Sequence, residues 1–150
     1  MRVFEVMTEN VRTIAPTATV REALDVMREG KFDHLVVAGR AGVLGVVSDR
    51  DLIARQRDGS PDAPTVADVM ATDVVTVARH ETIRKAANLM RGRTIGCLPV
   101  VERGKLVGII TTSDLLRILG RGLDRPARGT RAFLHYRVPH RKAAMPSGKW

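Results

Sequence analysis

The chain has 150 residues, of which 44% are hydrophobic and 27% charged, a balance typical of a soluble globular fold. This composition excludes collagenous, disulfide-rich and wholly disordered proteins, and the length is sufficient for a hydrophobic core. The single cysteine, Cys97, has no internal disulfide partner, and no apolar stretch reaches the length of a membrane span. The sequence therefore predicts a cytoplasmic protein that does not bind membranes.

The formal net charge of +9 is concentrated at one end of the chain. Residues 1–120 hold 17 Lys and Arg against 15 Asp and Glu, whereas residues 121–150 hold 8 against 1. One interpretation of this basic, Pro- and Gly-containing tail is an extension solvated by its own charge. The alternative is a scaffold or accessory protein without a physiological nucleotide ligand, whose tail binds nucleic acid or an acidic partner.

The first 120 residues contain one pattern twice. A shift of 63 positions aligns residues 3–55 with residues 66–118 without a gap. The identical pairs include Val11 and Val74, Thr19 and Thr82, Met27 and Met90, Gly45 and Gly108, and Asp51 and Asp114. The sequence therefore predicts a first repeat over 1–57, a linker over 58–65 and a second repeat over 66–120.

Each copy is expected to open with a short strand and a helix. In the first copy the strand covers 11–15, and Thr19 and Glu22 have the spacing of a capping box, in which each side chain accepts a hydrogen bond from an unpaired N–H at a helix start. Apolar residues then recur at helical spacing over 20–27. The same pattern follows Thr82 in the second copy.

Two β-branched runs follow in each copy, separated by a turn that contains glycine. The runs cover 35–37 and 43–47 in the first copy, and 98–101 and 106–110 in the second. With a further helix after each hairpin, both copies are predicted to have the order β-α-β-β-α. A unit this short hides only part of its sheet, so two copies are expected to pack together with pseudo-two-fold symmetry in one α/β module.

The last helix of each copy begins at a hydroxyl residue that is followed three positions later by a carboxylate. These residues are Ser48 and Asp51 in the first copy, and Thr111 and Asp114 in the second. One interpretation is purely structural, because this spacing caps a helix and an acid in the first turn is favoured by the helix dipole. The other is a nucleotide site, because a helix start binds phosphate and an ionised carboxylate accepts both hydroxyls of a ribose.

Three pairs of equivalent stretches give the sequence a family resemblance. They are Val-x-x-Val-Met before each first strand, His34-Leu-Val-Val37 with Cys97-Leu-Pro-Val-Val101, Gly45-Val-Val-Ser-x-x-Asp51, and Gly108-Ile-Ile-Thr-x-x-Asp114. Over residues 3–119 the chain resembles a tandem pair of CBS (cystathionine β-synthase) domains, often called a Bateman module. The resemblance implies regulatory binding of adenosine-containing ligands (AMP, ADP, ATP, NAD or S-adenosylmethionine) in clefts between the paired repeats.

The resemblance also implies a set of site residues. It places the ribose on Asp51 and Asp114, and the phosphates near Ser48 and Thr111. The adenine is expected to be read by the backbone of Thr13, Ile14 and Ala15 and of Thr76, Val77 and Ala78. The remaining residues expected around the ligands are His34, Arg50, Cys97, Pro99 and Ser113. Because Cys97 and Ser113 stand where the first copy has His34 and Arg50, the two clefts are expected to be chemically unequal.

Catalysis is not expected from this sequence. His34 lacks a suitably spaced acid or nucleophile, and Cys97 is expected to be a small buried hydrophobe. The acidic run at 49–51 points in different directions on a helix, so no metal site is predicted. The sequence thus predicts a stand-alone regulatory module that is not an enzyme and requires no cofactor. A homodimer formed through helices and an unidentified downstream protein are the expected partners.

Overall fold

The structure is a computed structural model that describes residues 1–57 and 62–123. In chain order its helices and strands are β1 (Thr13–Ile14), α1 (Val20–Gly30), β2 (His34–Gly39), β3 (Gly42–Ser48), α2 (Asp49–Arg57), α3 (Ile83–Arg93), β4 (Cys97–Glu102), β5 (Lys105–Thr111) and α4 (Thr112–Leu123). A single 3-10 turn precedes each repeat, at Val3–Glu5 and at Val66–Asp68. The predicted α/β class and the two matching repeats are confirmed.

The first helix of each repeat begins where its cap predicts. At α1 the Glu22 N–H donates to Thr19 Oγ1 over 3.1 Å, and the Thr19 N–H donates to Glu22 Oε2 over 2.8 Å. This pair is the predicted capping box. At α3 the Lys85 N–H donates to Thr82 Oγ1 over 3.2 Å. Lys85 occupies the position that Glu22 has in α1. Its side chain has no carboxylate to accept a hydrogen bond from the Thr82 N–H.

The strands form a hairpin in each repeat. β2 and β3 pair antiparallel, and β1 adds to β2 in parallel to give a three-stranded sheet. β4 and β5 form the matching antiparallel hairpin of the second repeat. Within both hairpins the register shifts once, between Val37 and Ala38 and between Val100 and Val101. The two copies therefore share even the irregular point of their sheets.

The first strand expected in the second repeat is reduced to one parallel bridge, between Val77 and Val100. The Val77 N–H donates to the Pro99 carbonyl over 3.1 Å, and the Val101 N–H donates to the Val77 carbonyl over 3.0 Å. Pro99 occupies the position of Val36, which pairs with Thr13 in the first repeat. Because proline has no N–H to donate, the ladder ends at Val77.

Each hydrophobic core contains the segment that precedes the other repeat. We call residues 3–8 and 66–71 the exchanged segments. Val3 and Met7 are buried in the core of the second repeat, together with Leu98 and Ile110. Val66 is buried in the core of the first repeat. Backbone hydrogen bonds fix both segments: the Thr8 N–H donates to the Ile109 carbonyl, and the Ala71 N–H to the Val46 carbonyl, each over 2.9 Å.

A glycine in each hairpin makes room for the exchanged segment that crosses it. A Cβ added at Gly108 would lie 2.5 Å from Met7 Sδ and 3.1 Å from the Thr8 carbonyl oxygen. At Gly45 a Cβ would lie 2.8 Å from Met70 Sδ and 2.9 Å from the Ala71 carbonyl oxygen. The two sites are thus sterically equivalent.

We expect Gly45→Ala and Gly108→Ala each to lower the free energy of unfolding by about 1–3 kcal/mol, the usual range for overpacking. Urea denaturation measures this change. Gly92→Ala in α3 is the matched control, because a Cβ there has no neighbour within 4 Å. It should leave stability unchanged or raise it by up to about 1 kcal/mol through better helix propensity. Equal stability of all three variants would contradict the close approach.

The chain beyond the second repeat is described only in part. α4 ends at Leu123, so it continues three residues past the predicted repeat boundary at 120. Residues 124–150, which hold most of the predicted basic tail, lie outside the described residues, as do residues 58–61 of the predicted linker. None of the described helices combines the length and the apolar character needed to cross a membrane.

Candidate functional site

Two clefts of similar size lie between the repeats. The first has a volume of about 480 Å³ and the second about 490 Å³, within the range of small-molecule sites. The first cleft combines the start of α2 with residues 73–75. The second combines the start of α4 with residues 10–12. Each cleft therefore takes its helix N-terminus from one repeat and its opposite wall from the other.

The structure brings nine predicted site residues to these clefts. Those at the first cleft are His34, Ser48, Arg50, Asp51, Cys97 and Pro99. Those at the second cleft are Thr111, Ser113 and Asp114, together with His34 again. Both clefts thus contain His34, and each also contains the start of one helix, α2 in the first cleft and α4 in the second. The side chains that line the two clefts differ.

The expected adenine-reading residues line neither cleft. Thr13, Ile14, Ala15, Thr76, Val77 and Ala78 are all absent from both linings. Thr13 and Ile14 pair with β2 instead, and Val77 bonds to β4 and is buried in a core. The backbone groups of Thr13, Ile14 and Val77 thus take part in strand pairing, and the role of these residues in reading the adenine stays a prediction.

The residues that do form the opposite walls come three positions earlier. They are Asn10, Val11 and Arg12 in the second cleft, and Asp73, Val74 and Val75 in the first. The two triplets are related by the same 63-residue shift as the repeats. Both triplets come just before the first strand pairing of a repeat, where the backbone is not yet hydrogen-bonded to a neighbouring strand. This position was the sequence signal that could have identified them as cleft residues.

At the start of α2, Ser48 and Asp51 are joined by hydrogen bonds. Ser48 Oγ donates to Asp51 Oδ2 over 2.8 Å, and the Asp51 N–H donates to Ser48 Oγ over 3.3 Å. Asp51 is exposed to the cleft. Such a pair caps the helix, as the structural interpretation predicts, and still presents a carboxylate to a ligand.

The equivalent carboxylate at α4 is held more tightly. Asp114 Oδ2 accepts from the Thr111 N–H over 2.9 Å and from Thr111 Oγ1 over 2.8 Å, and Arg117 donates to Asp114 Oδ1 over 3.0 Å. Asp114 is 6% exposed, the one charged residue that is buried among those described. Ala54 stands at the position of Arg117 in the first repeat, so only the second cleft has this ion pair.

His34 and Cys97 begin β2 and β4 at equivalent positions. His34 reaches the second repeat, since a Cβ added at Gly96 would lie 2.9 Å from His34 Nε2. Cys97 is buried, and loss of hydration raises the pKa of its thiol to about 12. A thiol of this kind is a packing group, in agreement with the sequence interpretation.

We expect the native Cys97 thiol to resist alkylation. At pH 8 a pKa of about 12 leaves roughly one thiolate in ten thousand, against about a quarter for an ordinary thiol of pKa about 8.5. Iodoacetamide should therefore react with the folded protein about a thousandfold more slowly than with the urea-unfolded chain. Mass spectrometry of the time course measures both rates, and equal rates would contradict the burial of the thiol.

The part of the chain described here holds no group of three or more His, Cys, Asp or Glu side chains arranged to bind a metal ion. The two clefts instead offer hydroxyl, carboxylate and basic groups at helix starts. These groups suit a polar organic ligand that spans both repeats.

Comparison with known proteins identifies the family. The family model for the CBS domain matches residues 3–58 and again residues 66–121. The chain is a tandem CBS domain protein. The predicted resemblance is thereby confirmed, with both repeats of the CBS pair included.

Solved structures share this fold. AcuB from Vibrio cholerae is 35% identical, with a TM-score of 0.74, and the match covers 82% of this chain and 94% of that chain. CBSX2, crystallised in complex with AMP, is 29% identical with a TM-score of 0.69, and the match covers 81% of this chain and 98% of that chain. CBS pairs of this length are therefore found as nearly whole chains in crystals.

CBS pairs also occur as parts of larger enzymes. A homoserine O-acetyltransferase from Methanocorpusculum labreanum is 36% identical over 117 residues, which are 77% of this chain. The chain spans only 23% of the length of that enzyme. The likeness is therefore to one part of the acetyltransferase.

Proposed function

We propose that this CBS pair is a regulatory module that binds adenosine-containing nucleotides in the two clefts between its repeats. The observation that carries the proposal is the shared construction of the clefts. In each, a carboxylate at the start of a helix, Asp51 or Asp114, faces a wall contributed by the other repeat. The AMP complex of CBSX2, 29% identical to this chain, supports the same class of ligand.

The chemistry of each cleft suits the parts of a nucleotide. An ionised carboxylate has about four acceptor sites. Asp51 accepts one hydrogen bond, from Ser48, and can take both hydroxyl protons of a ribose, whereas Asp114 already accepts three and can take one. The helix start beside each carboxylate favours a negatively charged group. The apolar side chains of Val11 and of Val74 and Val75 provide surfaces for a purine ring.

A ligand in either cleft would contact both repeats at once. It would favour the relative position of the repeats to which it binds best, which is the condition for a regulatory response. In this proposal the protein has no catalytic residue and requires no cofactor. The adenine nucleotide is the signal, and a downstream protein reads the resulting position of the repeats.

The test is a comparison of ligands that differ in one group. We expect AMP to bind with about 10- to 150-fold higher affinity than 2′-deoxy-AMP, because the second compound lacks one of the two hydroxyls offered to the carboxylate, and a hydrogen bond to a charged group contributes about 1.5–3 kcal/mol. Isothermal titration calorimetry measures both dissociation constants. Adenosine, ADP, ATP, NAD and S-adenosylmethionine complete the panel.

Stability gives a second measure of the same proposal. A ligand present at about one hundred times its dissociation constant should raise the free energy of unfolding by about 2.7 kcal/mol. Asp51→Asn and Asp114→Asn should each remove one site, and Asp62→Asn, an exposed change outside both clefts, is the control. If no adenosine compound binds wild-type protein, the proposed function is wrong.

We also propose that two copies associate through α4. Leu116 and Leu119 lie one turn apart on this helix and are 66% and 62% exposed. Leucines at that spacing form one apolar face, which a second copy of the helix can cover. The exchanged segments do not provide this contact, because they are used within one chain.

We expect the Leu116→Glu, Leu119→Glu double variant to be monomeric where the wild-type protein is dimeric, because paired glutamates would repel across the interface. Light scattering after gel filtration measures the mass. Gln56→Glu is the matched control, since Gln56 occupies the position of Leu119 in the first repeat and is also exposed. A dimeric double variant, or a monomeric wild-type protein, would contradict this assembly.

A further inference from the structure

We propose that the two clefts take different chemical classes of adenosine ligand. The second cleft binds a phosphorylated nucleotide, and the first binds an adenosine compound that carries no phosphate and is neutral or positively charged. The inference rests on the proposed function, to which it adds a division between the clefts. It is carried by the charged side chains that line each cavity.

The first cleft is acidic. Its charged lining consists of four carboxylates and one guanidinium, a net charge of −3: Asp33, Asp49, Asp51, Asp73 and Arg50. The single cation is on the same helix start as two of the acids, where the Arg50 N–H donates to Asp49 Oδ1 over 2.8 Å. A phosphate entering this cleft would meet like charges on both walls.

The second cleft is basic. Three cations, Arg12, Lys31 and Arg117, lie with two carboxylates, Asp33 and Asp114, a net charge of +1. Arg117 neutralises the buried Asp114 at 3.0 Å. Arg12 and Lys31 then face the cavity opposed by Asp33 alone, so a phosphate near the start of α4 would have two cations available.

The differences come from substitutions between the repeats. Arg12, Lys31 and Arg117 of the second cleft correspond to Val75, Thr94 and Ala54, which are uncharged. Val75 and Thr94 line the first cleft. Asp49 of the first cleft corresponds to Thr112. The sole cation of the first cleft, Arg50, corresponds to Ser113.

Neighbouring ions outside the first cleft do not reverse its charge. Arg93 lies 3.8 Å from Asp73, but the two side chains are 59% and 94% exposed, so water and salt weaken this pair. Even a complete cancellation of Asp73 would leave three carboxylates against Arg50. His34 lines both clefts and cannot distinguish them.

Charge on a ligand therefore selects the cleft. Juxtaposed like charges oppose binding, whereas complementary potentials favour it. AMP is expected to prefer the second cleft by at least about tenfold in dissociation constant. S-adenosylmethionine, whose sulfonium and ammonium groups outnumber its carboxylate, is expected to prefer the first by at least about tenfold.

The experiment assigns each ligand to a cleft by isothermal titration at low salt. AMP, S-adenosylmethionine and uncharged adenosine are titrated into wild-type protein, Asp51→Asn and Asp114→Asn. AMP binding should be weakened strongly by Asp114→Asn and little by Asp51→Asn, and S-adenosylmethionine binding should show the reverse. The number of adenosine molecules bound per chain should fall by about half in either variant. This result would show that the remaining cleft is intact.

A charge variant tests the cause directly. Asp49→Asn combined with Asp73→Asn should improve AMP binding at the first cleft by about tenfold at low salt, with a smaller gain at high salt. Asp25→Asn combined with Asp62→Asn changes the net charge by the same two units at exposed positions outside both clefts, and is the matched control. An equal gain in this control would overturn the inference.

The outcomes separate the two proposals. If adenosine binds but AMP and S-adenosylmethionine occupy both clefts with similar constants, the division between the clefts is wrong while the proposed function stands. If adenosine, AMP and S-adenosylmethionine all fail to bind wild-type protein, both proposals fail together. A ligand preference opposite to the one stated would overturn the division as well.

Discussion

A variant that lacks residues 2–8 loses about 3–6 kcal/mol of unfolding free energy. The deletion removes Val3 and Met7, both buried in the core of the second repeat, and full burial of one such side chain contributes about 1.5–3 kcal/mol. It also removes two backbone hydrogen bonds, one from the Thr8 N–H to the Ile109 carbonyl and one from the Ile109 N–H to the Thr8 carbonyl. Because whole domains are stable by only about 5–15 kcal/mol, this is a large share of the total.

The loss of stability should appear in a part of the chain that is distant in sequence from the deleted residues. Hydrogen exchange followed by NMR should show lost protection at Ile109, whose N–H donates to the Thr8 carbonyl, before any loss at Val47 in the first repeat. Urea denaturation gives the total change. A synthetic peptide of residues 1–9 should restore stability, and a scrambled peptide should not. An unchanged denaturation curve would show that the first exchanged segment does not belong to that core.

Substitution of the two equivalent carboxylates should have unequal effects on the protein without ligand. Asp114→Ala is expected to cost about 2–4 kcal/mol, because it removes a buried acceptor of three hydrogen bonds, and hydrogen bonds to charged groups contribute about 1.5–3 kcal/mol each. Asp51→Ala removes the acceptor of an exposed hydroxyl and should cost less than about 1 kcal/mol.

Thermal and urea unfolding of both variants measure this difference. Arg117→Ala is the informative companion, since Arg117 is 60% exposed and its loss alone should cost less than Asp114→Ala. Equal costs for Asp51→Ala and Asp114→Ala would mean that burial of the second carboxylate contributes nothing. A stability effect confined to Asp51→Ala would contradict the described hydrogen bonds.

Most of the secondary structure follows from local chemistry, which explains why the sequence predicts it. The capping box of Thr19 and Glu22 depends on groups three residues apart, and the hairpins depend on adjacent β-branched runs. The exchange of segments was not predictable in the same way. Val3 and Val66 are equivalent in sequence, and local patterning does not say which of two similar cores each one enters.

The helix starts of the candidate site follow from a local sequence pattern, whereas its opposite walls depend on how the two repeats pack. Ser48, Asp51, Thr111 and Asp114 lie where a capping pattern requires them. The residues expected to read the adenine begin three positions after the residues that line the clefts, in segments whose backbone pairs with β2 or β4, and their role stays a prediction. Lys31 and Arg117 were missed because only the packed repeats bring a helix end, a helix face and a strand start to one cavity.

The reciprocal use of residues 3–8 and 66–71 means that half of this chain is not an independent folding unit. A polypeptide cut within 58–61 would yield two fragments, each missing a piece of its interior and each carrying the piece that the other lacks. Mixed together, such fragments should reassemble one to one. By the same logic, a solitary repeat of this design could complete its interior only by intertwining with an identical chain.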